Sequence, residues 1–140
     1  MSNPYILVLF YSRYGATEQM AKLIGRGIET SGEFEARLRT VPSVSATTSA
    51  TQAPVPEHGA TFCEEDDLRH CSGLALGSPA RFGNMAAALK YFIEGTGGLW
   101  TSGALIDKPV STFTSSGSLH GGQETTLLTM AISMLHHGMI

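Results

Sequence analysis

Residues Tyr5-Ile6-Leu7-Val8-Leu9-Phe10-Tyr11 form a continuous apolar run, rich in β-formers and without alternation. A strand of that kind is covered on both faces, as in a parallel sheet between two helix layers. A polar turn follows, Ser12-Arg13-Tyr14-Gly15-Ala16-Thr17, and then Met20, Ala21, Ile24 and Ile28 recur along one helical face. Strand, turn and helix make the first half of a βαβ unit. A second strand is predicted over residues 34–41, where Phe34, Ala36 and Leu38 alternate with Glu35, Arg37 and Arg39. Residues 43–59, rich in Ser, Thr, Ala and Pro and without period, read as a long surface loop. Residues 64–70 predict a short helix opened by a solvated acidic run, Glu64-Glu65-Asp66-Asp67. Residues 71–78 predict a buried third strand ending in small residues. Residues 85–93 suit a helix with Met85, Leu89, Phe92 and Ile93 on one face, 110–113 a short fourth strand, and 124–135 a last helix running into a Met-rich core or interface segment. Strands alternating with helices specify an α/β, doubly wound parallel sheet.

Composition narrows what such a domain does. With 42% hydrophobic and 15% charged residues in 140, the chain has enough apolar material for one packed domain, taken to span residues 1–140. A net charge of -3 and the lack of a basic patch argue against nucleic acid as a partner. No apolar run approaches the roughly 18 residues of a membrane span. Met1-Ser2-Asn3-Pro4 carries no basic n-region, and Cys63 and Cys71 are too few for a disulfide framework, so a reduced, cytoplasmic setting is expected. The two thiols are read as small buried or half-buried groups.

In an open α/β sheet, ligands sit beyond the carboxyl ends of the strands. Three loops leave strands at that edge, and all three are rich in glycine and small polar residues. In the first, Ser12, Gly15 and Thr17 precede a helix whose N-terminus favours an anion. It lacks the lysine of a P-loop and the spacing of GxGxxG, so ATP and a Rossmann dinucleotide both fit poorly. A phosphate held mostly by neutral donors suits flavin mononucleotide; the plainer reading is that Ser12 and Thr17 cap the helix. The second loop, Pro79-Ala80-Arg81-Phe82-Gly83-Asn84, offers backbone amides to the edge of a flat heterocycle, with Arg81 favouring a reduced, anionic flavin; it also reads as a helix entry capped by Asn84. The third, Ser115-Ser116-Gly117-Ser118-Leu119-His120-Gly121-Gly122, is full of donors for ring or ribityl oxygens, or is an ordinary glycine-rich turn. Trp100 beside Gly97 and Gly98 offers an aromatic wall for a planar ligand, or plain core or interface packing. His136 and His137 have no further Cys or His cluster with metal-ligand spacing, so no metal is expected; they read as a helix-end pair favoured by the C-terminal dipole.

Taken together, the first loop, the run Gly77-Ser78-Pro79-Ala80-Arg81-Phe82-Gly83-Asn84-Met85, the segment Thr96-Gly97-Gly98-Leu99-Trp100, and Gly121-Gly122-Gln123-Glu124 with His136-His137-Gly138-Met139 resemble the WrbA-type NAD(P)H:quinone oxidoreductases. These are flavodoxin-like FMN enzymes first named as tryptophan-repressor-binding proteins. The resemblance covers the chain except for residues 43–59. It implies a flavodoxin-like sheet of strand order 2-1-3-4-5 and a homo-oligomer, dimer or tetramer, with FMN at subunit edges. It also implies that Ser12, Arg13, Tyr14, Gly15, Ala16 and Thr17 hold the FMN phosphate, and that Pro79, Ala80, Arg81, Phe82, Gly83 and Asn84 face the isoalloxazine. Ser115, Ser116, Gly117, Ser118, Leu119, His120 and Gly121 would hold ring edge and ribityl chain, with His136 near the flavin. Tyr14 would touch the nicotinamide and Trp100 the quinone. The stretch Ser118-Leu119-His120-Gly121 is a residue longer than the glycine-richer family form. The family continues past Ile140 with a fifth strand and last helix, so this chain is expected to be a C-terminally incomplete domain.

The activity so implied is two-electron reduction of quinones by NADH or NADPH through FMN, with both substrates visiting one site in ping-pong order. His136 and His120 are the candidates for donating protons or hydrogen bonds to the quinone oxygens. The rival readings are a one-electron flavodoxin-like carrier and a non-catalytic interaction protein. Carriers of that kind are more acidic than this chain and flank the flavin with more aromatic residues than the single Phe82 of the second loop.

Overall fold

The computed structural model describes residues 3–44 and 56–140. Strand β1 (Tyr5–Phe10) leads into helix α1 (Ala16–Thr30), followed by β2 (Glu35–Thr40), α2 (Glu65–His70), β3 (Gly73–Pro79), α3 (Ala87–Glu94), α4 (Gly97–Thr101), β4 (Val110–Ser115) and α5 (Gln123–His136). The four strands form one parallel sheet of order β2-β1-β3-β4. This is the expected doubly wound, flavodoxin-like arrangement.

The unbroken apolar run of β1 has the reason anticipated for it. Tyr5, Leu7 and Leu9 enter one core, packed with Leu68 of α2, Leu89 and Ile93 of α3, Leu99 of α4, and Met130 and Met134 of α5. Val8 and Phe10 enter a second core on the opposite face, against Ala21, Met20, Ile24 and Ile28 of α1. Val8 is flanked in register by Leu38 and Ala75, so the strand is enclosed laterally as well. Leu7, Val8 and Leu9 are almost fully buried. Such side chains contribute about 1.5–3 kcal/mol each to folding.

Four elements differ from the sequence expectation. The segment Thr96-Gly97-Gly98-Leu99-Trp100 contains a one-turn helix, α4, which glycines and shortness concealed; Leu99 anchors it in the core. Strand β4 reaches Ser115, because Thr114 and Ser115 keep pairing with Ser78 and Pro79 where the composition alone reads as loop. Helix α3 begins two residues later than expected, leaving Met85 buried ahead of it. The acidic run is not wholly solvated either. Asp67 is nearly buried, Arg39 Nε donates to it at 3.0 Å, and it accepts the Glu64 N–H in a capping box. It thereby ties α2 to β2 and to Tyr5, whose hydroxyl donates to the Asp67 carbonyl at 2.7 Å and whose ring lies under Arg37. Of the expected surface loop over residues 43–59, the part at 45–55 lies outside the described residues.

Cys71 is buried and Cys63 half-buried, both as free thiols, and burial pushes both up from their ordinary acidity. No helix among the described residues is long and apolar enough to cross a membrane.

Candidate functional site

Parallel pairing puts the carboxyl ends of β1, β3 and β4 at one edge, so the three loops predicted from the sequence converge there. They enclose a cleft of about 220 Å³, lined by Ser12, Arg13, Tyr14, Ala16 and Thr17 from the first, Pro79 and Arg81 from the second, and Ser115, Ser116 and Gly117 from the third.

The first loop is built to leave a helix end open. Gly15 is the N-cap of α1 at φ 92°, a left-handed conformation that glycine adopts without steric cost. No side chain caps the helix. The plainer alternative, that Ser12 and Thr17 merely cap the helix, does not describe them. The Ser12 hydroxyl accepts the Gly15 N–H at 3.1 Å, and the buried Thr17 hydroxyl pairs with that of Ser115 at 3.0 Å. The first-turn N–H groups of α1 remain turned toward the cleft end of the helix, where dipole and donors favour an anion.

Charge agrees with that geometry. Arg13 and Arg81 are the ionisable cations lining the cleft, no carboxylate lines it, and neither arginine forms an ion pair among the described residues. Arg13 lies over the Tyr14 ring at 5.4 Å, and Arg81 donates to the Ala80 carbonyl at 2.8 Å. A larger cavity of about 480 Å³ lies over the ends of β1 and β2, but Glu18 and Glu57 line it without any arginine or lysine. It suits a phosphate poorly.

The second loop is a tight turn. Arg81 N–H donates to the Asn84 carbonyl at 2.8 Å and Asn84 N–H returns to Arg81 at 3.0 Å, with Phe82 at φ 52° and Gly83 at φ 76° between them. Asn84 is thus a turn residue and does not cap α3. That role falls to Ala86, whose N–H donates to the buried Ser78 hydroxyl at 2.8 Å. Phe82 is a non-glycine residue in the left-handed region with its side chain fully in solvent. Strain of this kind gathers at ligand-facing sites.

The third loop is fastened from within by Gln123, which stands in the resembling run Gly121-Gly122-Gln123-Glu124 but has no role assigned from the sequence. Its amide donates to the Ser116 hydroxyl at 2.6 Å and the Ser118 carbonyl at 2.9 Å, while its oxygen accepts the Gly121 N–H at 2.8 Å. A glutamine right after a glycine pair, opening a helix, was the available signal. Ser118, Leu119, His120 and Gly121 lie outside the cleft lining; Leu119 and His120 are exposed beside it.

Trp100 and His136 come together, away from these loops. Their rings stack with centroids 5.9 Å apart and planes within 9°, and Trp100 Nε1 donates to the His136 carbonyl at 3.1 Å. Helix α5 runs back from the loop edge, and Gly138 accepts the Asp107 N–H just ahead of β4. The pair therefore stands at the amino edge of the sheet, about 20 Å of helix from the cleft end of α5. His137 next to it is half-buried, with Nε2 on the Thr96 hydroxyl at 3.1 Å and a buried Nδ1 that has no partner. Burial, and secondarily the charge of His136, pulls its pKa down, overriding the preference of the helix dipole for a cation. Among the described residues no group of three or more His, Cys, Asp and Glu side chains is placed to hold a metal ion.

A sequence model of NADPH-dependent FMN reductases matches residues 6–140. The chain belongs to that family. It is 41% identical to an NAD(P)H dehydrogenase (quinone) of Syntrophobacter fumaroxidans and 39% identical to one of Syntrophus aciditrophicus, in each case over 96% of this chain and 69% of the relative. In fold it is similar to a WrbA-like flavodoxin protein of Agrobacterium tumefaciens, with a TM-score of 0.75 at 24% identity, covering 99% of this chain and 76% of that one. A Lactobacillus acidophilus flavoprotein solved in complex with FMN superposes at a TM-score of 0.62 with 18% identity, over 97% of this chain and 88% of its own.

Proposed function

We propose that this chain is a WrbA-type, FMN-dependent NAD(P)H:quinone oxidoreductase, working as a homo-oligomer in the cytoplasm. The observation that carries the reading is the cleft itself. An uncapped helix end, neutral hydroxyls and two guanidiniums meet there without a carboxylate, which fits a flavin phosphate.

In this reading the first-turn N–H groups of α1 hold the phosphate, with Ser12 and Thr17 beside them and Arg13 and Arg81 neutralising its charge. Ser115, Ser116 and Gly117 hold the ribityl chain. The Phe82–Gly83 turn, with Pro79 and Ala80 at its base and Asn84 closing it, faces the ring. When bound, the flavin supplies two-electron redox chemistry between a nicotinamide donor and a quinone. The exposed Tyr14 ring offers a stacking surface for the nicotinamide. His120, exposed on the third loop beside the cleft, is the candidate to hydrogen-bond a quinone oxygen. Trp100 and His136 are too far from their own cleft to share its ligand, so a second copy supplies them.

The test is oxidation of NADH and of NADPH with benzoquinone as acceptor, with and without added FMN. FMN-dependent turnover is expected. Flavin binding with one-electron stoichiometry and no quinone reduction would make the protein a carrier. Failure to bind FMN would leave an interaction protein.

A further inference from the structure

The Phe82–Gly83 turn is closed by the Arg81–Asn84 backbone pair, and beyond a 3.4 Å bond from the Thr126 hydroxyl to the Asn84 carbonyl few polar contacts fix where it stands. Both central residues are left-handed, which for phenylalanine is an uncommon and costly state. The Phe82 side chain is wholly exposed, so no hydrophobic burial secures it. What the turn does touch is the start of α5. Gly122, the N-cap of that helix, lies with its Cα face against Gly83: a Cβ on Gly122 would stand 2.8 Å from Gly83 Cα and 2.9 Å from Gly83 N. From the other side, a Cβ on Gly83 would stand 2.6 Å from the Thr125 hydroxyl. The approach is backbone to backbone, so neither partner can swing aside as a side chain would.

We propose that Gly122 is a positioning residue for the Phe82–Gly83 turn, acting as the seat that sets where the Phe82 ring stands. The inference rests on the reading above that this turn faces the flavin. Through this contact the third loop controls the placement of the second, and the two ring-facing loops move as one piece. Conformation alone does not account for the requirement. Gly32 has a similar φ of 75°, but a Cβ there would meet nothing within 4 Å. Gly32→Ala therefore carries the backbone cost of a left-handed alanine without a clash, and Gly122→Ala carries both.

The experiment compares wild type, Gly122→Ala and Gly32→Ala in two measurements. The first is hydrogen exchange at the Arg81 and Asn84 amides without flavin, because those N–H groups close the turn. The second is FMN affinity from flavin fluorescence, together with the visible spectrum of the bound flavin. In Gly122→Ala, exchange at both amides is expected to rise at least about tenfold. FMN affinity should fall by about tenfold or more with a changed flavin spectrum. Gly32→Ala should match wild type in both, even where its thermal midpoint drops. Wild-type exchange in Gly122→Ala overturns the seat, and faster exchange with unchanged affinity and spectrum overturns its role toward the flavin. The same exchange and spectral changes in Gly32→Ala would reduce the effect to general destabilisation and also overturn the proposal. A wild-type protein that binds no FMN sinks the functional reading instead, and the exchange data alone then decide whether Gly122 seats the turn.

Discussion

The Thr17 hydroxyl lies 3.0 Å from that of Ser115, joining the first turn of α1 to the end of β4 across 98 residues of chain. Thr17 is buried and Ser115 half-buried, and their pair fixes the distance between two walls of the cleft. Replacing Thr17 with valine keeps the shape and removes the bond. It should cost about 1 kcal/mol in urea unfolding, the usual net worth of such a bond. It should also weaken FMN binding by about tenfold through loss of the aligned donors. Thr17→Ser should retain most of the affinity. A valine variant that binds FMN like wild type would show that the pair is structural only.

A second relationship concerns packing. The Phe113 ring lies directly over Gly77, in the space a Cβ on Gly77 would occupy. Strands β3 and β4 are in register there, so the ring cannot retreat along the sheet. Gly77→Ala should destabilise the protein by about 2–3 kcal/mol through overpacking. Adding Phe113→Leu should recover about 1 kcal/mol or more, a coupling read from the double-mutant cycle. Strict additivity of the two changes would contradict the contact.

The buried side of His137 makes stability depend on pH. Burial lowers its folded-state pKa below the ordinary 6.5. Above that value both states are neutral and nothing is lost. As pH falls through it, the unfolded chain takes up the proton first, and stability drops until the folded pKa is reached. His137→Gln removes this component. The variant's urea midpoint should therefore fall less than that of wild type between about pH 7.5 and about pH 5. Parallel curves for the two proteins would rule the histidine out as the source.

Much of this architecture was readable in advance, and the exceptions have physical causes. The unalternating run at Leu7-Val8-Leu9-Phe10 announced two buried faces, and the structure has a core on each. The three polar loops announced a cleft because parallel topology gathers strand ends. What the chain hid were features set by tertiary contact. Asp67 sits in a run that looks solvated, and only the fold brings Arg39 to it. Helix α4 is too short to show a period, and Leu99 is its one buried side chain. Gln123 acts on Ser116 and Gly121 through a loop whose shape sequence patterns do not specify. The placement of Trp100 and His136 was hidden for a different reason: α4 and α5 hold them at the edge of the sheet opposite the three loops, which only the topology shows.

That separation yields the last prediction. If Trp100 and His136 serve the cleft of a second copy, two differently damaged subunits should repair one another. Ser12→Asp places a negative charge at the phosphate end of the cleft and should abolish FMN binding there, while leaving the Trp100–His136 stack intact. Trp100→Phe combined with His136→Ala leaves the cleft intact and removes the stack. Each variant alone should be nearly inactive with benzoquinone. Mixed by co-expression in equal amounts, random pairing in a dimer should restore about a quarter of wild-type activity, because half the dimers are mixed and each holds one complete site. Trp100→Phe with His136→Ala retaining full activity would mean that the pair takes no part in the reaction. Two inactive parents with no recovery on mixing would mean that each chain completes its own site.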